Sequence, residues 1–212
     1  MRLLLALCLL ATPTLAETTG PVEDLVTAHR LYAQAVKTAD TTALLSAIRL
    51  ARPIAIRPAP GWTVEASAPP QPDEPQGAPA PANPASPETL AIALAFAGED
   101  PALQDLVYDL DVQSPAQPTA TITAAASTLG AGQTDTWRIA LFGQSPAELA
   151  VIGDGDTPLT LTITDDSGAT VCANPAAPFP DPCAFTPSRN GFFTVAVTNQ
   201  GTLTNSYQLL SN

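Results

Sequence analysis

From about residue 117 onward the chain alternates apolar and polar residues, and this period of two constrains the fold more than any other feature. Turns rich in glycine, asparagine and proline separate the candidate strands. Several short strands at this spacing predict an antiparallel β-sandwich over 117–212. The predicted strands are 118–126, 134–142, 147–152, 158–165, 168–172, 192–198 and 204–210.

Two earlier stretches have the helical period instead, with apolar residues three and four positions apart. In 20–52, Pro21 suits a first helical position and Asp40 is placed to cap a second helix. In 88–112, Gly98 ends one helix and Asp100 begins the next. Each stretch therefore predicts a helical hairpin, and we expect the two hairpins to pack together as a small bundle.

Residues 53–87 separate the two hairpins and contain 11 of the 23 prolines. Such a composition buries too little surface to offset the entropy lost when the backbone is ordered. We therefore expect an extended linker, partly in the polyproline II conformation. Trp62 is its one large apolar group, and we expect it either to pack back on the helices or to stand exposed as a contact point.

The first sixteen residues have the form of a secretory signal peptide. Arg2 supplies the positive charge, residues 3–11 the apolar run, and cleavage is expected between Ala16 and Glu17. The apolar run is too short to span a bilayer as a helix, and no second run of spanning length follows. The mature protein is therefore expected to be periplasmic or extracellular, without membrane insertion once the signal is removed.

The chain is strongly acidic, with 8 Lys and Arg residues against 20 Asp and Glu residues. Nucleic-acid binding requires clustered basic residues, so this balance argues against a nucleic-acid partner. It argues equally against attraction to anionic membrane surfaces. Solubility is a sufficient explanation for the acidity, because a large net charge keeps a secreted protein in solution.

Removal of the signal also removes Cys8 and leaves Cys172 and Cys183. An even number of cysteines in an oxidising compartment favours a disulfide over a metal site. The bridge would close a loop of about a dozen residues and contribute roughly 3 kcal/mol of stability. The enclosed segment 173–182 contains four prolines, and we expect that it cannot pair into a sheet.

A series of short motifs keeps its order and spacing from about 129 to 210. The matching residues are Leu129, Gly130 and Gly132; Trp137 to Phe142; Gly153 to Thr157, Leu159, Leu161, Ile163, Asp165 and Gly168; Thr186, Pro187, Gly191, Phe193, Val195, Val197, Asn199 and Gly201; and Asn205, Tyr207 and Leu209. The series resembles the bacterial pre-peptidase C-terminal (PPC) domain. This resemblance implies a jelly-roll sandwich that serves as an accessory or substrate-binding part, not as a catalytic one.

The predicted fold class is thus α+β with segregated elements: a small N-terminal helical bundle followed by an antiparallel β-sandwich of jelly-roll type.

Four aspartates form the best candidate set of hard oxygen ligands: Asp154, Asp156, Asp165 and Asp166. Calcium takes six to eight oxygen ligands, several of them from carboxylates. Asp beside Gly also forms tight turns by bonding to its own backbone, which is an alternative role for the same residues. No cofactor is expected from the sequence, and calcium is the one metal that these residues could hold.

Candidate catalytic groups are scarce. The chain has no GxSxG, HExxH or glycine-rich phosphate motif. His29, the only histidine, falls on an apolar helix face and is expected to be a packed core residue instead of a general base. The protein is therefore not expected to be an enzyme.

Aromatic residues fall mostly on predicted strands, so core packing is the expectation for Trp137, Phe142, Phe192 and Phe193. Only Tyr207 and Phe192 are candidates for an exposed binding position. Together these features predict a non-catalytic binding or structural module of the cell envelope, with a protein or a glycan as ligand. A calcium-dependent adhesion or stability module is one alternative, and an enzyme accessory domain or inhibitor is the other.

Overall fold

The computed structural model describes residues 20–65, 73–78, 82–113 and 117–212. The predicted signal peptide and its cleavage site at Ala16 and Glu17 lie outside these residues. The helices within the described part are α1 (Pro21–Thr38), α2 (Thr41–Ala51), α3 (Pro87–Ala97) and α4 (Pro101–Val112). The strands are β1 (Ile54–Pro58), β2 (Thr63–Glu65), β3 (Ala120–Leu129), β4 (Thr134–Leu141), β5 (Ala147–Ile152), β6 (Leu159–Thr164), β7 (Thr170–Ala177), β8 (Cys183–Phe185), β9 (Gly191–Asn199) and β10 (Asn205–Ser211). The chain is therefore an α+β protein, as predicted.

The helix boundaries follow from local chemistry. The Asp40 carboxylate accepts a hydrogen bond from Ala43 N at 3.0 Å and so caps α2. Asp100 caps α4 in the same way, accepting from Ala102 N at 2.9 Å. α1 ends where Ala39 adopts a left-handed backbone conformation. Each of the two stretches with a helical period therefore contains two helices joined by a short turn.

The strands form two five-stranded sheets. Sheet A has the order β1-β3-β10-β5-β8, and sheet B has the order β2-β4-β9-β6-β7. Within these sheets β1 pairs with β3 in parallel, and the other pairings are antiparallel. The inner faces of the two sheets enclose one core, because alternate side chains of the central strands, such as Leu159, Leu161 and Ile163 of β6, are apolar and buried.

The helices form a third layer on the outer face of sheet A. Val22, Leu25 and Val26 of α1 pack against Ile122 of β3 and Leu210 of β10. The other face of α1, with α2, α3 and α4, encloses a separate bundle core around Leu44, Ile48 and Leu110. Sheet A is therefore covered on both faces, which explains why consecutive residues of β5, such as 149–152, are all buried.

The prediction for residues 53–87 is wrong in one respect, because this segment contributes two strands. β1 extends sheet A beside β3, and β2 extends sheet B beside β4. Pro58 is tolerated in β1 because β1 is an edge strand, whose outer backbone groups need no partner. Trp62 lies between them and packs on Trp137 in the sandwich core, at 6.4 Å between ring centroids. Its position in the sandwich therefore differs from both expectations, which were packing on the helices and exposure as a contact point.

A further part of the segment 53–87, residues 73–78, is fastened to one end of the sandwich. The Glu74 carboxylate accepts a hydrogen bond from Ala131 N, and Thr204 N donates to Pro75 O at 3.0 Å. Gly77 N donates to Thr204 Oγ1 at 2.9 Å, and a Cβ at residue 77 would lie only 2.1 Å from Thr204 O. We call residues 73–78 the strap.

The disulfide between Cys172 and Cys183 is present, with the two Cα atoms 6.0 Å apart. Cys172 lies on β7, the edge strand of sheet B, and Cys183 lies on β8, the edge strand of sheet A. The bridge therefore joins the two sheets at one open side of the sandwich.

The proline-rich loop between the cysteines was expected to stay out of the sheets, and this is wrong for its first half. Residues 173–177 belong to β7, and Asn174 pairs with Leu161 of β6. Pro175 is accommodated because β7 is an edge strand and its register with β6 shifts between Leu159 and Leu161.

Candidate functional site

The four aspartates predicted to bind calcium are divided between the two ends of β6. Asp154 and Asp156 precede this strand, whereas Asp165 and Asp166 follow it. A six-residue strand is roughly 20 Å long, so the two pairs cannot share one cation. Among the described residues no group of three or more His, Cys, Asp or Glu side chains is placed to hold a metal.

The second pair of aspartates is engaged in local contacts. Asp165 closes its own turn, because one carboxylate oxygen accepts from Ser167 Oγ at 2.6 Å and from Ala169 N at 3.0 Å. These hydrogen bonds, that from the Ser167 hydroxyl foremost, lower the pKa of Asp165. Asp166 accepts two hydrogen bonds from Arg189, at 2.8 and 2.9 Å. The pair therefore serves as turn and surface contacts.

The first pair of aspartates anchors backbone near the strap. Asp154 accepts from Ser206 N at 2.9 Å, and Asp156 accepts from Ala78 N at 2.6 Å. Partial burial raises the pKa of Asp154. Close by, the buried Asn205 side chain donates to Thr157 O and Thr157 Oγ1, while its own Oδ1 has no hydrogen-bond partner among the described residues.

His29 is buried in the layer between α1 and sheet A, with 4% of its surface exposed. Burial lowers its pKa to about 4, so the imidazole is neutral at physiological pH. In the described part of the chain no serine or carboxylate is hydrogen-bonded to the ring. The prediction of a packed histidine is therefore supported by its burial.

Two phenylalanines lie on the surface: Phe142, which was expected in the core, and Phe192, for which core packing was the expectation and an exposed position the alternative. Phe142 is 78% exposed at the end of β4, and Phe192 is 49% exposed on β9. Trp137 and Phe193 are buried, as predicted, and so is Tyr207, which had been a candidate for an exposed position. The available signal was the strand alternation itself, since an inward Phe193 requires an outward Phe192.

Arg138 completes this surface. Its guanidinium carbon lies 3.7 Å from the centroid of the Phe192 ring, at the distance of a cation–π contact. No carboxylate pairs with Arg138 in the part of the chain that the structure describes. Shallow clefts of about 380 Å³ and 230 Å³ lie beside Phe192, and Gly191 lines both. We call the surface formed by Arg138, Ala140, Phe142, Gly191 and Phe192 the aromatic surface.

The backbone around Phe142 is held by contacts to the β8–β9 loop. Gly143 N donates to Asn190 Oδ1 at 2.7 Å, and Gln144 N donates to Pro187 O at 2.6 Å. A Cβ at residue 143 would lie 2.4 Å from the Arg189 Cα, so only glycine permits this approach. Phe142 is therefore presented to solvent on an ordered turn and not on a free loop.

No helix among the described residues is long and apolar enough to cross a membrane.

Neither a protein-family model nor a curated protein sequence matches this chain. Solved structures do resemble part of it. The pre-peptidase C-terminal domain of a collagenase from Bacillus anthracis is 15% identical, with a TM-score of 0.38, over 42% of this chain and 88% of that chain. The Yersinia pseudotuberculosis-derived mitogen is 14% identical, with a TM-score of 0.31, over 43% of this chain and 84% of that chain. Aeromonas hydrophila PliG, a periplasmic inhibitor of g-type lysozyme, is 9% identical, with a TM-score of 0.32, over 43% of this chain and 84% of that chain.

Proposed function

We propose that this protein is a non-catalytic binding module of the cell envelope and that it binds a protein partner through the aromatic surface. The observation that carries the proposal is the exposure of Phe142 and Phe192 beside Arg138, which pairs with no carboxylate of the described residues. Complete burial of an exposed Phe side chain contributes roughly 1.5–3 kcal/mol of favourable free energy. A Phe side chain that stays in water does not gain this contribution. Their placement on an ordered surface therefore favours a partner that covers them.

The composition of the aromatic surface favours a protein over a glycan. Phe142, Phe192 and Ala140 offer no side-chain hydrogen-bonding group, whereas a sugar presents many hydroxyl groups that need partners. Aromatic residues and arginine are the residue types enriched at the centres of protein interfaces. Arg138 adds a positive charge in a strongly acidic chain, which favours an acidic group on the partner.

The disulfide supports the assignment to the envelope, because such bonds persist in oxidising compartments. The predicted signal peptide with cleavage between Ala16 and Glu17 is part of the same proposal. N-terminal sequencing of the protein purified from its source cells tests that cleavage, and a mature chain that still begins at Met1 contradicts it.

The test of the binding function is site-directed photo-crosslinking in the cells that produce the protein. A photo-reactive phenylalanine replaces Thr194, which lies opposite Arg138 on the neighbouring strand. We expect a discrete crosslinked protein, identified by mass spectrometry, that is lost in the Phe142→Ala, Phe192→Ala double variant. Tyr108→Ala is the matched control, since Tyr108 is an equally accessible aromatic residue on α4, at 52% exposure.

The crosslink is expected to persist in Tyr108→Ala. A crosslink that survives the double variant contradicts the proposal, and so does selective co-sedimentation with purified cell-wall glycan. A hydrolase activity abolished by one carboxylate substitution would also overturn the non-catalytic assignment.

We also propose that the eight strands β3 to β10 form a jelly roll. The order β3-β10-β5-β8 facing β4-β9-β6-β7 supports this, because successive strands change sheet everywhere except at the β6–β7 hairpin, and the last strand, β10, returns beside the first, β3. The resemblance to the PPC domain in the sequence motifs predicts the same topology.

A calcium-dependent stability module is the second candidate, and the unpaired Asn205 Oδ1 favours it. This oxygen lies against Gly153, next to Asp154, so that side-chain oxygens of both residues lie near one turn. Oxygens from carboxylates and amides are suitable calcium ligands. Calorimetric titration with calcium tests the idea: binding that is lost in Asp154→Asn and kept in Asp165→Asn supports it, and no binding ends it.

A further inference from the structure

One edge of strand β4 is only partly covered by the described strands. On one side β4 pairs with β9 along its whole length. On the other side β2 pairs with residues 136–138 and goes no further. The chain that precedes β2 comes from sheet A, where Ala59 N donates to Ala124 O at 3.0 Å. Residues 139–141 therefore form an open edge within the described part of the chain, directly beside the aromatic surface.

The register of β4 shows which backbone groups face this open edge. Asn199 N donates to Gln133 O at 2.9 Å, so the hydrogen-bonded pairs with β9 fall on the odd-numbered residues of β4. The backbone N–H and C=O groups of the even-numbered residues point to the other side. Those of Arg138 face β2, whereas those of Ala140 make no hydrogen bond to any described residue.

A cleft of about 170 Å³ follows the same edge, between the two sheets. It is lined by residues 139–142, by Trp62, by residues 145–147, and on sheet A by Thr123 and Ser211. A cavity of about 150 Å³ is large enough to hold benzene, so this cleft has room for one apolar side chain. The open edge therefore offers both unpaired backbone groups and a recess for a side chain.

We propose that an extended segment of the protein partner pairs with the open edge as an additional strand beside β4. One residue of the segment exchanges two backbone hydrogen bonds with Ala140. Its side chain lies on the outer face, next to Arg138 and Phe142. The residues before and after it direct their side chains towards the cleft, because side chains alternate along a strand. An extended chain fits this place because its backbone satisfies the N–H and the C=O of Ala140 together.

The charge at the edge specifies the segment further. Arg138 forms no ion pair with a described carboxylate, and its guanidinium lies over Phe192, the residue that pairs with Ala140. Ala140 is small, so an acidic side chain placed opposite it can extend across to the guanidinium. The segment is therefore an acidic residue with apolar neighbours. This mode of binding rests on the proposed protein-binding function and adds the conformation in which the partner binds.

The probe for strand pairing is a phage-displayed library of random dodecapeptides. It is selected on the whole protein and counter-selected on the Phe142→Ala, Phe192→Ala double variant. We expect enriched peptides in which an acidic residue lies between apolar ones. In one such peptide, each backbone N–H is then replaced by N-methyl in turn. N-methylation should weaken binding about tenfold or more at alternate residues and leave it nearly unchanged at the residues between, because only every second N–H faces β4.

Ala140→Pro is the matching variant of the protein. Proline removes the N–H that faces the open edge and none that bonds to β9, so the fold should be kept. We expect peptide binding to weaken about tenfold or more, whereas Ala140→Ser, which keeps the N–H, should change it less than about threefold. If Ala140→Pro does not fold, the N-methyl series on the wild type decides.

Three results overturn the proposal: no enriched peptide, an N-methyl series without alternation, or equal peptide binding by a folded Ala140→Pro variant. A free protein that is dimeric, and that Ala140→Pro makes monomeric, also overturns it, because the edge then pairs with a second copy. None of these results removes a photo-crosslink that depends on Phe142 and Phe192. Failure of the strand pairing is therefore distinguishable from failure of the proposed function.

Discussion

Tyr207 donates its hydroxyl proton to the buried carboxylate of Asp135 at 2.7 Å, across the core of the sandwich. The same hydroxyl accepts from Trp137 Nε1 at 2.7 Å, and Ser127 Oγ donates a second hydrogen bond to Asp135 at 2.7 Å. Burial and the neighbouring carboxylate raise the pKa of Tyr207, which keeps the phenol protonated. The network joins β3, β4 and β10 and thereby ties the two sheets together from inside.

Removal of this hydroxyl should destabilise the fold. Tyr207→Phe leaves the Trp137 N–H without an acceptor and Asp135 with one donor fewer. We expect the free energy of unfolding to fall by about 2–4 kcal/mol, measured by urea denaturation. Tyr108→Phe, at an exposed position, should change it by less than about 0.5 kcal/mol. Equal stability of the two variants would contradict the structural role of the network.

The burial of His29 should make stability depend on pH. The pKa of the folded state, about 4, lies below that of the unfolded chain, so the unfolded state binds more protons between pH 6.5 and 4. This contribution is fully present above pH 6.5 and is lost as the pH falls, by about 3 kcal/mol at most.

The measurement compares the melting temperatures of the wild type and His29→Gln from pH 7 to pH 4.5. The wild type should lose more stability than the variant over this range, since carboxylates contribute alike to both. Parallel curves would show that His29 does not titrate between the folded and unfolded states.

The Cys172–Cys183 disulfide should stabilise the sandwich, because it joins the edge strands of the two sheets. Replacing both cysteines by alanine is expected to cost about 2–4 kcal/mol in chemical denaturation. The reduced wild type should unfold at the same denaturant concentration as the double variant, and the variant itself should not respond to a reductant. A stability unchanged by reduction would contradict the prediction.

The strap should detach from the sandwich when a side chain at residue 77 blocks the close approach to Thr204. In Gly77→Ala the new methyl group would clash with Thr204 O, so the hydrogen bond from Gly77 N to Thr204 Oγ1 should be lost. We expect elastase to cleave the chain next to Ala78 several times faster than in the wild type, as followed by mass spectrometry. Gln76→Ala, at an exposed neighbouring position, is the control. Equal cleavage rates in the two variants would mean that the strap is held by other contacts.

Several elements follow from the sequence because their causes are local. Asp40 and Asp100 cap helices with their own side chains, and the alternation of Leu159, Leu161 and Ile163 marks one strand face irrespective of what covers it. The pairing of Cys172 with Cys183 likewise follows from their being the two cysteines left after the predicted cleavage.

Other features depend on which surfaces come together, and a local pattern does not contain that information. β1 and β2 form because β3 and β4 offer free edges to a proline-rich segment. Trp62 packs on Trp137, so its position depends on the burial of Trp137 in the sandwich.

The candidate sites likewise combine features that the sequence predicts with features that depend on tertiary packing. The sequence by itself determined the two periods and the helix ends, because each depends on neighbours along the chain. Its composition determined the acidity, and the two cysteines left after the predicted cleavage indicated the disulfide. Only the tertiary structure decided that Phe192 faces solvent beside Arg138, and that His29 is buried between α1 and sheet A. The physical reason is that alternation assigns residues to a common face, whereas packing between layers decides which face is left uncovered.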